Sequence, residues 1–320
     1  MKLLRRTFLP LVAAPAIARA QGGDWPKGPI RVVVPFPPGG TTDPVARILA
    51  AKVSDNTGWQ TVIDNKPGAA GAIGAAIAAK APPDGLTWMI TFDSHILSPA
   101  FTPNLPYKDS DLFNVMLVGR APLVVACHPD RPYKSFSDVV ADAKKRPGKV
   151  SVGLLPASGQ LLLTSYLQKA NGFELNQIYY KGGGPIMQDV LAGVIDFTVT
   201  TIGAAQPHFR SGKARVLATT GEKRATSLPQ VPTLAEQGLK TYPTYSWWGV
   251  YVPSGTPRPI VDRMSVELAK AARSPDVAQK FIELIDMEIL ASSPEAFAAF
   301  QAGEQERWFK VIKDNNIKAD

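Results

Sequence analysis

The sequence predicts an α/β fold of two lobes, each a mostly parallel sheet flanked by helices, joined by two crossing segments. A strand–helix–strand–helix–strand pattern occupies residues 30–92 and recurs in residues 149–200. Two extended apolar passages, residues 115–129 and 245–257, lie on either side of the second pattern. Alternating strands and helices are typical of parallel sheets, and their recurrence indicates two such units.

The first unit starts with the largely apolar run Ile30–Val34, which is typical of a strand covered on both faces. The next apolar residues fall on one face of a helix: Val45, Ile48, Leu49 and Val53. Further strands are predicted at residues 60–64 and 86–92, with an alanine-rich helix between them. In the second unit, strands are predicted at residues 149–153, 177–180, 194–200 and 214–220, with helices at 160–170 and after Gly182.

The chain after residue 257 is predicted to be helical, with Val261, Met264 and Leu268 on one apolar face. An apolar helix face must pack against other apolar surface, and we assign this helical segment to the sheet of the first unit. The predicted lobes are therefore residues 24–122 plus 246–320, and residues 123–245. Two lobes joined by two extended crossings enclose a cleft that can open and close.

Residues 1–20 have a basic start, an apolar middle and a small-residue end, the pattern of a cleaved export signal. The apolar part is too short to span a bilayer. Residues 5–9 also fit a twin-arginine signal, so the general secretory route and the twin-arginine route both stay open. We expect a mature chain that starts at Gln21 and resides in the periplasm.

The formal net charge is +8, and four of the positive residues lie in the predicted signal, which has no acid. The processed chain therefore carries +4, a mild bias towards anionic partners without the Lys/Arg blocks of a nucleic-acid-binding protein. The single cysteine, Cys127, permits no internal disulfide. Burial of an apolar core must then supply the stability, and Cys127 is expected to belong to that core.

Polar, glycine-rich segments follow the strands of both units, at the edge where parallel α/β sheets bind ligands. They are residues 38–43, 67–71, 93–95, 154–160, 181–185 and 200–201. Glycine lets the backbone approach a ligand, and helices that begin there present free N–H groups and a partial positive charge. The same glycines also suit tight turns, but matching segments in both units favour an anion site between the lobes.

Five segments carry a resemblance to a known family. In chain order they are WPKGPIRVVVPFPPGGTTDPVARILA, DNKPGAAGAIGAAIAAKAPPDGLTW, SHILSPAFTPNLPYK, YYKGGGPIMQDVLAGVIDF and WWGVYVPSGTP. They resemble stretches of the Bug-type solute receptors, the periplasmic binding proteins of tripartite tricarboxylate transporters. The resemblance implies a type II-like periplasmic-binding-protein fold that closes on a small organic carboxylate like a Venus flytrap. It also implies delivery to the membrane subunits of a transporter, presentation to a sensor kinase as a second role, and a monomer without cofactor, metal or nucleic acid.

In that family the loop after the first strand helps to hold a carboxylate, a role that the resemblance assigns to residues 36–43. Asp43 is expected to cap the helix or to accept hydrogen bonds from the loop; facing the cleft, it would receive an amine or amide instead. The complete set of predicted ligand-binding residues is Phe36, Gly39, Gly40, Thr41, Thr42, Asp43, Ser94, His95, Ser158, Gln160, Gly183, Thr200 and Trp247. Whether Trp247 or its neighbour Trp248 faces the cleft is left open.

The chain departs from the family pattern at three positions. Leu161 stands where many relatives have His, Ser98 where they usually have Asn, and Thr200 where Asp is frequent. The lack of an acid at position 200 suits an anionic ligand better than an amino acid.

An enzyme is the alternative hypothesis. The sequence has no dinucleotide-binding Gly-x-Gly-x-x-Gly, no phosphate-binding loop and no Gly-x-Ser-x-Gly nucleophile elbow. The histidines His95, His128 and His208 show no metal-ligand spacing. The adjacent Asp93, Ser94 and His95 leave open an exported α/β hydrolase-like enzyme that acts on a small carboxylate.

Overall fold

The computed structural model describes residues 25–102 and 104–317. The predicted export signal and the cleavage expected before Gln21 lie outside these residues. Within the described ranges, no helix combines the length and the apolar character needed to cross a membrane.

The first unit folds as predicted, with boundaries close to the expected ones. Its elements are β1 (Ile30–Val34), α1 (Thr42–Thr57), β2 (Thr61–Asn65), α2 (Ala72–Ala79), β3 (Thr87–Phe92) and α3 (Ser94–Phe101). Strand β1 lies between β2 and β3 and runs parallel to both. Val45, Leu49 and Val53 of α1 are fully buried, because the apolar face of the helix packs onto this sheet.

The second unit adds two helices that the sequence analysis did not predict, α4 and α7. In chain order, the elements are β4 (Leu112–Cys127), α4 (Phe136–Lys145), β5 (Ser151–Leu154), α5 (Gly159–Asn171), β6 (Asn176–Tyr179), α6 (Gly183–Leu191), β7 (Phe197–Thr201), α7 (Ile202–Arg210) and β8 (Arg215–Thr219). Strand β5 lies between β6 and β7 and is parallel to both. Strand β7 is shorter than predicted, since it begins at Phe197.

The last part of the chain contains β9 (Tyr245–Pro253), α8 (Arg258–Arg273), α9 (Pro275–Ile285), β10 (Glu288–Ile289) and α10 (Pro294–Asn315). Val261, Met264 and Leu268 of α8 are buried in the same core as β1 and β3, so the tail covers the first unit. Helix α10 begins at Pro294 behind the cap Ser293, whose Oγ accepts the N–H of Ala296 at 3.2 Å.

The two crossing segments are strands of the sheet itself. In the described chain the strand order is β2-β1-β3-β9-β4-β7-β5-β6, and β8 and β10 also pair with β4. Strand β4 is antiparallel to β9 over Leu112 to Pro122 and to β7 over Leu123 to Cys127. Pairing satisfies the backbone groups that two isolated apolar crossings would leave unbonded. One continuous sheet therefore runs through both lobes.

Two main hydrophobic cores lie on this sheet. The first contains side chains from β1, β3, β9, α1 and α8, such as Val32, Trp88 and Val250. The second contains side chains from β4, β5, β7, α4 and α5, such as Phe136 and Phe197. We call the parts of the molecule around them lobe 1 and lobe 2. Cys127 is fully buried in the second core, and this burial raises the pKa of its thiol to about 11.

Candidate functional site

A cavity lies between the lobes, where strands of both units end. The cavity has a volume of about 50 Å³. The lining residues are Phe36, Pro37, Gly40, Thr41, Thr42, Phe92, Leu155, Gln160, Gly182, Gly183, Gly184, Thr200, Thr201, Ala204 and Trp248. None of these residues carries a charge. The wall therefore combines aromatic and aliphatic surface with neutral hydrogen-bonding groups.

Three helices begin at this cavity without a side-chain cap. The N-terminal positions of α1, α6 and α7 are Thr41, Gly182 and Thr201, and in none of the three does a side chain accept a first-turn N–H. Free N–H groups at a helix start carry a partial positive charge. Convergence of three such starts on one cavity gives it a positive potential without a lysine or arginine in the wall.

Gln160, near the start of α5, adds a side-chain donor. Its Oε1 accepts the N–H of Leu155 at 3.4 Å, which fixes the orientation of the amide. Among the described residues, Nε2 of Gln160 donates to no protein acceptor. Since Gln160 lines the cavity, this Nε2–H₂ group remains available to a ligand.

Threonine hydroxyls complete the polar wall. Thr41 Oγ1 of lobe 1 and Thr201 Oγ1 of lobe 2 lie 2.5 Å apart, a direct hydrogen bond between the lobes. Thr42 Oγ1 accepts the indole N–H of Trp248 at 3.3 Å, so its own proton is free to be donated. Thr200 is 2% exposed and lines the same cavity.

Asp43 stabilises the loop after β1 through hydrogen bonds and does not line the cavity. Its carboxylate accepts Arg47 Nε at 2.8 Å and Asn65 Nδ2 at 2.9 Å, and Asn65 also donates to the carbonyl of Phe36 at 3.1 Å. Partial burial opposes ionisation, but the hydrogen bonds from Arg47 and Asn65 outweigh it and hold the pKa of the carboxyl below its usual value. Asp43 does not line the cavity and is already neutralised, so it is not placed to receive an amine there.

The structure brings together part of the predicted set. Phe36, Gly40, Thr41, Thr42, Gln160, Gly183 and Thr200 line the cavity, whereas Gly39, Asp43, Ser94, His95, Ser158 and Trp247 do not. Ser158 is fully buried: its Oγ donates to the carbonyl of Leu155 and accepts the N–H of Leu161, which caps α5. Leu161 packs in the second core. Ser98 donates to the carbonyl of Ser94 at 2.8 Å.

The neighbouring tryptophans of β9 point to opposite faces of the sheet, as successive residues of a strand do. Trp248 lines the cavity, while Trp247 packs against Phe297 and Phe300 with ring centroids 5.8 and 5.5 Å away. Eight lining residues stand outside the predicted set: Pro37, Phe92, Leu155, Gly182, Gly184, Thr201, Ala204 and Trp248. Of these, Phe92 and Ala204 lie outside the predicted ligand segments, and Trp248 was left open as the alternative to Trp247. The glycine run after β6 pointed to Gly182 and Gly184, whereas Ala204 lies on the unpredicted α7.

The adjacent Asp93, Ser94 and His95 do not form a nucleophile–base arrangement. His95 Nδ1 lies 3.1 Å from the hydroxyl of Tyr107 and the two rings stack, while Asp93 Oδ1, Ser94 Oγ and His95 Nε2 have no partner among the described residues. Burial lowers the pKa of His95 to about 4. Within the described chain, no three His, Cys, Asp or Glu side chains are grouped to hold a metal ion.

Asp93→Asn is expected to change how stability depends on pH. Burial, with a smaller effect of Glu304, raises the pKa of Asp93 to about 7, so the folded protein holds a proton that the unfolded chain releases above about pH 4. The contribution of Asp93 to the free energy of unfolding therefore falls as pH rises from 4 to 7. The contribution of His95 rises with pH instead, because its lowered pKa keeps the ring neutral in the folded protein. The variant should be more stable than the parent by roughly 1–4 kcal/mol at pH 8, and the gain should shrink towards pH 4.

Urea unfolding of both proteins across this pH range measures the effect. A difference between Asp93→Asn and the parent that stays constant from pH 4 to pH 8 would show that Asp93 does not titrate in this window.

A sequence model of the family described as "Tripartite tricarboxylate transporter family receptor" matches residues 45–317. The chain belongs to this family. Protein BugT of Bordetella pertussis is 35% identical over 312 residues, which are 96% of this chain and 95% of BugT. The structure of "R. palustris Rpa4515 with adipate" is 33% identical with a TM-score of 0.88, covering 92% of this chain and 99% of that one.

A second solved structure, "MatC (Rpa3494) from Rhodopseudomonas palustris with bound malate", is 27% identical with a TM-score of 0.83, covering 90% of this chain and all of that chain. These likenesses confirm the predicted two-lobed periplasmic-binding-protein fold. They also identify this chain as a receptor of a family whose members are periplasmic, and they give no support to the hydrolase alternative.

Proposed function

We propose that this receptor captures a small organic carboxylate in the cavity between its lobes and delivers it to the membrane subunits of a tripartite tricarboxylate transporter. The observation that carries the proposal is the uncharged, polar wall on which α1, α6 and α7 begin without side-chain caps. The adipate and malate named with Rpa4515 and MatC support a carboxylate as ligand.

Donors to the carboxylate come from both lobes. Lobe 1 supplies the start of α1 with Thr41 and Thr42, and lobe 2 supplies Gln160 and the starts of α6 and α7. Opening of the lobes divides this set and breaks the Thr41–Thr201 hydrogen bond. Because an anion held by half of its donors is poorly stabilised, opening would release the ligand to the transporter.

The proposed lobes are residues 24–122 plus 246–320, and residues 123–245, moving about β4 and β9. Strand β4 changes partner from β9 to β7 between Pro122 and Leu123, which supports a boundary there. We further propose export through the signal in residues 1–20, by either the general secretory or the twin-arginine route. In the periplasm the protein acts as a monomer and not as an enzyme, with presentation to a sensor kinase as a second role.

Gly40→Val tests the proposed site. Gly40 lines the cavity, an added Cβ meets no protein atom within 4 Å, and its backbone is not in the left-handed region. The valine variant should therefore fold while its side chain takes up space at the binding wall. Gly28→Val is the matched control, since its Cβ is equally free and Gly28 lies outside the cavity.

The measurement is thermal unfolding of the processed protein with adipate and with malate. A bound ligand at 100 times its Kd should stabilise the parent by about 2.7 kcal/mol, a melting shift of roughly 5–10 °C. The shift should vanish in Gly40→Val and persist in Gly28→Val, and the carboxylate should be recovered unchanged after long incubation. Equal shifts in all three proteins would place binding elsewhere, and a converted carboxylate would indicate an enzyme.

A further inference from the structure

The lobes also meet outside the cavity, at a contact that we call the seam. Lobe 1 contributes residues 284–286 at the end of α9, and lobe 2 contributes α7 and residues 226–227. Ala204 of α7 lines the cavity, whereas a Cβ on its neighbour Gly203 would collide with Ile285 across the seam. Successive helix residues point in different directions, so the seam and the cavity lie on different sides of α7.

Asp286 makes a two-point polar contact across the seam. Its two carboxylate oxygens accept different backbone donors, the N–H of Thr226 and the N–H of Ser227, each at 2.9 Å. A charged acceptor makes each bond stronger than a bond between neutral groups, and two bonds to one carboxylate fix the orientation of the partners. Asp286 therefore holds the end of α9 to the 226–227 segment in one arrangement.

Both sides of this contact are fixed to the cores of their own lobes. Ile285 and Met287, which flank Asp286, are buried in the first core. Ala225 and Leu228, which flank the two donors, are buried against β4 and α7 of lobe 2. Because close-packed cores do not yield locally, opening of the lobes at the seam must break both hydrogen bonds.

The backbone of Asp286 also supports a role for its side chain. Its φ of 55° and ψ of 39° lie in the left-handed region, at the position where α9 ends. Glycine adopts this region without strain, whereas a residue with a Cβ does so at a cost. The two hydrogen bonds across the seam offset that cost. Since Asp286 lies outside the cavity, any effect that it has on a ligand must act through the lobes.

We propose that Asp286 is a latch, which stabilises the closed arrangement of the lobes and so slows the release of a bound carboxylate without touching it. The inference rests on the proposed function and adds to it a positioning residue outside the cavity. A ligand held between closed lobes leaves when they open, so loss of the two hydrogen bonds should speed release. Entry occurs through the open arrangement, where the latch is already broken, so association should not become slower.

Asp286→Gly removes the latch and suits the left-handed backbone. Stopped-flow tryptophan fluorescence with adipate and with malate should give a dissociation rate constant about 10-fold higher than in the parent, without slower association. Asp286→Asn, which keeps one acceptor oxygen but not the charge, should give an intermediate rate. Asn316→Gly should match the parent. It is the matched control, because Asn316 ends α10 in the same backbone region and its side chain makes no hydrogen bond within residues 25–102 and 104–317.

The distance between the lobes is a second readout, which needs no ligand and which a purely local structural role would not change. Spin labels on Asp55→Cys in lobe 1 and Lys213→Cys in lobe 2 report it, because both positions are exposed and Cys127 is buried. Pulsed electron paramagnetic resonance should show a larger population at long distance for Asp286→Gly than for the parent or Asn316→Gly.

The outcomes separate the latch from the proposed function. If adipate dissociates from the parent and from Asp286→Gly at the same rate, the latch is wrong while the receptor function stands. If neither adipate nor malate binds the folded parent, the proposed function is wrong. The distances then decide about the latch, because identical distributions for the parent and Asp286→Gly would overturn it.

Discussion

Thr200→Asp should abolish carboxylate binding, whereas Thr200→Asn should weaken it only slightly. Thr200 is 2% exposed and lines a cavity whose wall has no cation to neutralise a new carboxylate. Two like charges about 5 Å apart repel by roughly 3 kcal/mol at the effective dielectric constant of a protein site, a loss of more than 100-fold in affinity. Asparagine has the same size without the charge, so it isolates the electrostatic effect.

Titration of adipate into both variants at pH 7.5 measures this difference. Binding to Thr200→Asp should also recover partly at acidic pH, because protonation of the introduced side chain removes the repulsion. Comparable Kd values for Thr200→Asp and Thr200→Asn at pH 7.5 would mean that no anion sits beside position 200.

Gly203→Leu should lower ligand affinity by at least 10-fold because it keeps the lobes apart. A Cβ added to Gly203 on α7 would lie 2.4 Å from Ile285 Cγ2 and 2.9 Å from the carbonyl of Leu284, at the end of α9 in lobe 1. Beside this contact, the carboxylate of Asp286 accepts the N–H groups of Thr226 and Ser227 from lobe 2. The two lobes therefore touch here without space for a side chain.

The variant should still fold, since leucine is a better helix former than glycine and the clash lies between the lobes. Gly303→Leu in α10 is the matched control, because a Cβ there meets no atom within 4 Å. Small-angle scattering with adipate should show a smaller radius of gyration for the parent and for Gly303→Leu, and none of this compaction for Gly203→Leu. Tight binding and normal compaction of Gly203→Leu would exclude closure at this contact.

Most elements that a clear hydrophobic period marks were predicted from the sequence, but α4 was missed although Phe136, Val139, Val140 and Ala143 follow a helical period behind the Ser135 cap. The run Ile30–Val34 and the helix with Val45 and Leu49 were found because burial repeats along them. Helix α7 was not predicted from the sequence, because it is short and contains Pro207. The pairing of β4 with β9 was not predicted either, because an apolar run does not show which strand it will pair with.

The candidate site was predicted at the level of loops rather than side chains. Strand ends pointed to the edge of the sheet at which the cavity lies, but the side chain of a residue at a strand end can point towards the cavity or away from it. Ser158 uses its hydroxyl to cap α5, and the ring of His95 lies against Tyr107 in a buried position. Alternation on β9 required the two tryptophans to face opposite ways, yet only the packing of Trp247 on Phe297 shows which one remains for the cavity.

A crystal structure of the processed protein with adipate is the most direct test of the central claim, that a neutral wall of helix starts binds a carboxylate between the lobes. We expect one carboxylate within hydrogen-bonding distance of Gln160 Nε2 and of the first N–H groups of α1, α6 and α7, without contact to any arginine or lysine at that end. Adipate bound outside this cavity, or a carboxylate held there by a cationic side chain, would contradict the claim.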